Sequence, residues 1–214
     1  LSSKAGFIMY KKIRIIPLFL FLFILLYSQK SSAESCESAL MFVNKVSSEA
    51  TEIISSEKYT KNQRKFYFKK LFIDNADFET MGKVALGKYA RKLKPEMTEE
   101  YNGLIKKLVI QMIYNRLDNE EGNNYIIINN SCKNKGSKGI EFLVNGDILG
   151  SDKRKITDIT WWVIDKSNNE LKVLDVSIAG ISLALQKREE FTSFISNNKN
   201  SLDALINNLK DKLN

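Results

Sequence analysis

The chain has 214 residues, 43% hydrophobic and 27% charged, with two cysteines and no histidine. That length and apolar content suit one ordinary domain and argue against disorder. The missing imidazole excludes Ser-His-Asp and Cys-His nucleophile systems and HExxH zinc sites, while the formal charge of +8 has to be located before it is read as a nucleic-acid signal.

Lys4, Lys11, Lys12, Arg14 and Lys30 all lie in the first 33 residues, which hold no Asp or Glu, so most of the excess charge belongs to a leader. Residues 1–33 read as a secretory signal. Met9 opens a basic stretch, Ile15 to Tyr27 form an apolar run shorter than the ~20 residues a bilayer core requires, and Ser31-Ser32-Ala33 offer small residues for cleavage after Ala33. Leu1 to Ile8 precede the expected start at Met9 and are set aside as a start-site artefact. The remainder, 34–214, is expected outside the cytoplasm as a single domain. There Cys36 and Cys132 face oxidising conditions, in which a disulfide is one outcome and separate thiols another. Glu34 argues against a lipid-attachment signal at Cys36.

Apolar residues then recur at three- and four-residue spacing from Glu37 to Asn119. Leu40, Val43, Val46, Ala50, Ile53 and Ile54 mark a first helix. Thr60 is placed to cap a second, whose stripe includes Phe68, Leu71 and Phe72. Asp77 begins a third, FETMGKVALGKYARK, and Pro95 suits the first turn of a fourth carrying Leu104, Leu108 and Met112. After Gly122 the period changes to two, and strands are expected at 125–128, 140–149, 156–165 and 171–178. The short link at 166–169 makes the last two strands antiparallel neighbours. Helices at 182–196 and 201–213 close the chain. Helices, strands, then helices give an α+β fold with a four-stranded antiparallel sheet.

Several stretches invite chemistry. Gly180-Ile181-Ser182-Leu183-Ala184 has the form of a nucleophile elbow, yet no histidine base exists; a helix N-cap fits Ser182 better than a Ser182/Lys187 dyad. Asp74, Asp77 and Glu79 fit an acidic helix start rather than a calcium loop. The cations at Lys61-Arg64-Lys65, Lys69-Lys70 and Lys153-Arg154-Lys155 suit phosphate contacts, of nucleic acid or of lipid head groups, or a plain solvated face. No glycine-rich phosphate loop, CxxC pair or metal-ligand spacing is present, so no cofactor is expected. Alternation places Leu174, Val176 and Ile178 on one face of their strand and Val173, Asp175 and Ser177 on the other. Thr160, Trp162 and Ile164 share a face of the preceding strand, giving the helices a broad apolar side.

Three stretches resemble the MlaC, or toluene-tolerance, family of periplasmic phospholipid-binding proteins. Residues 78–91, FETMGKVALGKYAR, are similar to the family's Ala-Leu-Gly helix followed by an aromatic and an Arg. Asp175-Val176 with Gly180-Ile181-Ser182-Leu183 resembles its "DV, then GVSL" signature, and Arg188, Phe191 and Asp203-Ala204-Leu205-Ile206 resemble its closing motifs. The resemblance implies a non-enzymatic carrier whose curved sheet and helices enclose acyl chains. It also implies exchange of phospholipid between an outer-membrane lipoprotein complex and an inner-membrane ABC transporter, which maintains outer-membrane lipid asymmetry. The expected lining comprises Phe78, Met81, Leu86 and Tyr89, then Leu108 and Met112, then Trp162, Ile164, Leu174, Val176 and Ile178, and finally Ile181, Leu185 and Phe191. Arg188 is expected either beside the head group or paired with a surface carboxylate. A non-catalytic envelope adaptor and a Ser182-dependent envelope hydrolase are the competing readings.

Overall fold

Helix α1 (Lys30–Ser55) opens the described part of the chain and contains neither glycine nor proline, so nothing interrupts it. The structure, a computed structural model, describes residues 30–118, 126–136, 140–166 and 170–213; the expected start at Met9 and the apolar run of the leader lie outside them. α1 begins seven residues before the predicted Glu37, so the expected cleavage position after Ala33 falls near its first turn. Its stripe Ala39, Val43, Val46 and Ala50 is buried. α2 (Lys61–Asn75) starts at a full capping box, in which the Thr60 hydroxyl accepts from the Gln63 amide and the Gln63 side chain accepts from the Thr60 amide. α3 (Phe78–Leu86) is capped by Asp77, and α4 (Pro95–Asp118) begins on the predicted proline.

The third predicted helix is broken. Gly87 has φ +54, which ends α3, and residues 87–92 continue as a 3₁₀ segment. The sheet is an antiparallel meander of five strands rather than four, in the order β1 (Ile126–Asn134), β2 (Glu141–Leu149), β3 (Lys155–Asp165), β4 (Leu171–Ile178) and β5 (Ile181–Ser182). β5 is too short to show a period of two. It arises because Ala179 and Gly180, both at positive φ, turn the chain in two residues and pair Ile181 with Ile178. β1 runs six residues past its predicted end, because an irregularity between Asn129 and Ser131 lets the asparagine-rich stretch keep pairing with β2. Cys132 on this extension is disulfide-bonded to Cys36 on α1, with their Cα atoms 5.8 Å apart. α5 (Leu183–Asn197) and α6 (Leu202–Leu213) follow the sheet closely as predicted.

Apolar burial divides into two clusters. In the first, α1, α2 and the second half of α4 cover one face of the sheet, represented by Phe142, Val144, Ile159, Trp161, Val163 and Val176. In the second, α3, the 3₁₀ segment, the first half of α4, α5 and α6 pack on one another around Leu86, Tyr89, Tyr101, Phe191 and Leu205. The inward face of β3 is therefore Ile159, Trp161 and Val163, and the expectation that Trp162 serves the helix-covered side is corrected. Trp162 lies opposite Asp175 on the other face. The register shift between Trp162 and Val163 also sets Val173 beside Val163, so Val173 is buried together with Leu174 and Val176 instead of facing away from them.

One buried polar network ties α1 to the sheet. Asn129 donates to Asn44 Oδ1 (3.0 Å) and Ser47 Oγ (2.9 Å) and accepts from the Trp161 indole (3.0 Å). Every buried side-chain polar atom in it has a partner, which makes the network costly to break. Asn129→Ala is expected to destabilise the fold by about 3 kcal/mol, because the buried indole N–H loses its partner and the Ser47 hydroxyl keeps only its bond to the Asn44 carbonyl. The midpoint of urea unfolding checks this, and a loss under about 1 kcal/mol would show that the site repairs itself.

Candidate functional site

Two carboxylates on or beside β4 fix the helices that flank the seam between the clusters. Asp77 accepts from the Thr80 amide (3.0 Å) and hydroxyl (2.7 Å) at the start of α3 and from Lys166 Nζ (2.6 Å), while its own amide donates to the Val173 carbonyl (3.0 Å). Burial opposes its ionisation, but the hydrogen bonds from Lys166 and Thr80 outweigh that and hold the carboxyl below its ordinary value. Asp175 accepts from the Ala184 amide (3.0 Å) and from the Ser182 hydroxyl, which in turn accepts from the Leu185 amide (3.1 Å). Burial pushes the Asp175 carboxyl up, against those bonds and the nearby Lys135 charge. Ser182 is thus the N-cap of α5. Lys187 is ion-paired to Glu190.

Between these helices lies an apolar slot. Met81 and Ala85 of α3, Ile105, Leu108, Val109, Met112 and Ile113 of α4, Leu174 and Val176 of β4, and Leu183 and Ala184 of α5 line it, with Lys187 and Asp175 as its polar members. The residues come from both clusters: Met81, Ile113 and Val176 belong to the first, Ala85 and Ile105 to the second, and Val109 packs against both. Its open space is only about 30 Å³, room for about one water.

A wider groove lies on the second face of the sheet. It holds about 750 Å³ and is lined by Leu143, Thr160, Trp162, Asp175 and Ser177 from the strands, Lys83, Val84 and Gly87 from α3 and its end, and Ser182, Leu185 and Arg188 from the start of α5, with Lys135 and Gly180 completing it. Asp175 lines both spaces. The Trp162 indole donates to Glu141 (2.9 Å), and Lys135 Nζ sits over its ring. Burial lowers the Lys135 pKa, while Glu141 and Asp175 favour its charged form. Lys83 pairs with Glu79 (2.6 Å). Arg188 is exposed and makes no ion pair among the described residues.

Of the predicted lining, Met81, Leu108, Met112, Leu174 and Val176 come together on the slot. Trp162 and Leu185 lie on the groove with Arg188. Leu86, Tyr89 and Phe191 are packed inside the second cluster, and Phe78, Ile164 and Ile178 pack against the first. Ile181 is 52% exposed on the edge strand. Sequence reasoning missed Ala85 and Ala184, whose small side chains leave the slot its space, and it missed Lys83 and Lys135. The Ala-Leu-Gly step was the available signal. A Cβ on Gly87 would stand 2.8 Å from Arg188 Nε, and its positive φ disfavours any side chain. Gly87→Ala is expected to cost about 2 kcal/mol and to displace Arg188, read by denaturant unfolding; an unchanged midpoint would contradict this contact.

The family model described as MlaC protein matches residues 44–211, which takes in every wall of the slot and the groove. The chain belongs to the MlaC family. A solved structure shares the fold: the phospholipid-binding protein from Ralstonia solanacearum, determined in complex with a phospholipid, superposes with a TM-score of 0.68 at 19% identity, covering 82% of this chain and 96% of that one. No protein of curated function is close enough in sequence to count as a match. Among the described residues no helix is long and apolar enough to cross a membrane, and no cluster of metal-ligating side chains occurs.

Proposed function

We propose that the chain is a periplasmic phospholipid carrier, made with a cleaved leader at 1–33 and a single lipid-binding domain at 34–214. The observation that carries this reading is the apolar slot at the boundary of two hydrophobic clusters, because separating two packed units opens a greasy chamber without unfolding either one. Family membership and the phospholipid held by the Ralstonia solanacearum protein support the same reading.

The physical task is severe. Burying hydrocarbon is worth ~0.8 kcal/mol per methylene, so a sixteen-carbon chain represents about 12 kcal/mol, and unaided passage through water is too slow to be useful. A carrier supplies an equivalent apolar lining and gives it up at its docking partners, which requires a partner that opens the seam or offers an equally apolar path. In this reading the acyl chains occupy the slot and the head group lies toward the groove, near Lys135 and Arg188. The partners are an outer-membrane lipoprotein complex and an inner-membrane ABC transporter complex, and the exchange maintains outer-membrane asymmetry. No covalent step is involved.

Mass spectrometry of solvent extracts from the purified protein tests the reading. Diacyl phospholipid at near one molecule per chain is expected. A protein that is empty as isolated and stays empty in a vesicle transfer assay would instead be a packed adaptor.

A further inference from the structure

We propose that the exposed face of α2 docks onto the headgroup layer of an anionic phospholipid bilayer. α2 carries Lys61, Arg64, Lys65, Lys69 and Lys70 and no acidic residue before Asp74. Lys65, Lys69 and Lys70 are exposed and have no ion-pair partner among the described residues. The cationic run at 153–155 is by contrast answered in place: Arg154 pairs with Asp152 (2.6 Å), and Lys155 with Asp147 (2.8 Å) and Asp158. On α2 the charge of Lys65, Lys69 and Lys70 is left unanswered.

Aromatic side chains stand among these cations. Phe66 is 63% exposed and Tyr67 38%. Tyr67 contacts both Phe66 and Tyr59, with ring centroids 5.5 and 4.7 Å apart. Rings and lysine stems of this kind settle at the level of lipid head groups, where the apolar body leaves water while the polar tip stays wet. The surface is also preformed. The Thr60/Gln63 capping box fixes the start of α2, Arg64 Nη1 donates to the Tyr59 carbonyl (2.9 Å), and Phe68, Leu71 and Phe72 anchor the opposite side in the core.

The chemistry favours a fluid lipid surface over an acidic protein. Lysines are hydrated point charges that need no fixed carboxylate geometry, whereas arginine forks match carboxylates two bonds at a time. The only arginine here spends a nitrogen on its own backbone. Phe66 protrudes from a convex helix and fills no groove. The inference concerns where the protein lands and does not depend on what the slot holds.

Vesicle flotation tests it, using the chain in the form that exporting cells accumulate. Vesicles of phosphatidylglycerol and phosphatidylethanolamine are expected to carry the protein upward at low salt and to release it at high salt, while pure phosphatidylcholine vesicles leave it behind. Each lysine near such a surface is worth about fivefold in partitioning, so Lys65→Glu, Lys69→Glu and Lys70→Glu together are expected to lower binding by at least about 100-fold. The corresponding glutamine variants should lose less, and Phe66→Ser should weaken binding with the salt dependence retained. Equal flotation on neutral vesicles, no flotation on anionic ones, or a triple glutamate variant that floats like the parent would overturn the proposal. Binding to soluble polyglutamate without binding to anionic vesicles would also overturn it, and would mark an acidic protein as the partner.

Discussion

Replacing Ala184 by phenylalanine is expected to strip the protein of bound lipid by tenfold or more while leaving it folded. Ala184 lies on the slot wall in the first turn of α5, and its contribution to the fold is its amide, which donates to Asp175 and survives any side-chain change other than proline. A phenyl ring there is larger than the space of about 30 Å³ between α3, α4 and β4, so it wedges into the seam and occupies the room an acyl chain would need. Overpacking of this kind costs about 1–3 kcal/mol, less at a site with some exposure, so circular dichroism should still show a cooperative transition. Ala184→Ser leaves the space open and is expected to keep its lipid. Val176→Asp addresses the same wall less cleanly. Val176 is 5% exposed, pairs in register with Trp161 and neighbours the buried Asp175, so a second carboxylate there endangers the fold itself. Full lipid occupancy in a folded Ala184→Phe protein would place the acyl chains somewhere other than the slot.

Loss of the disulfide carries the largest expected stability effect. Cys36 and Cys132 are 96 residues apart in sequence, and closing so long a loop restricts the unfolded chain by about 3–5 kcal/mol. The bond also clamps α1 onto the extended end of β1, where the Asn129 network is its main polar partner. Cys36→Ser with Cys132→Ser, or treatment with reductant, is expected to lower the guanidinium midpoint by that amount. Since neither cysteine lines the slot, lipid should remain bound wherever the fold persists. A shift below about 1 kcal/mol would mean that packing of α1 alone fixes this edge of the sheet.

Local chemistry made much of the fold legible in the sequence. Thr60, Asp77, Pro95 and Ser182 each stand where a helix begins, because each supplies a cap or tolerates a first turn. The alternating strands β2 to β4 were legible for the same reason. Long-range effects were not. β1 continues through asparagines and a lysine because its pairing with β2 outweighs poor strand propensity, and no window of sequence contains that partner. Trp161 and Trp162 are adjacent and equally apolar, so alternation alone did not decide which of them faced the helices. Likewise Leu86, Tyr89 and Phe191 have the same helical spacing as Met81, Leu108 and Met112, yet the first three sit inside a cluster and the others on its boundary. Periodicity reports that a residue is inside. Whether its neighbour is another side chain or a separable surface depends on how the clusters divide.

That division is the centre of the account, and photo-crosslinking reads it most directly. A phospholipid with a diazirine midway along one acyl chain, loaded into the protein and irradiated, is expected to label Met81, Leu108, Met112, Val176 and their neighbours on α3, α4, β4 and α5. Labelling confined to the second sheet face around Trp162, or to the protein exterior, would contradict an acyl-chain site between the two clusters.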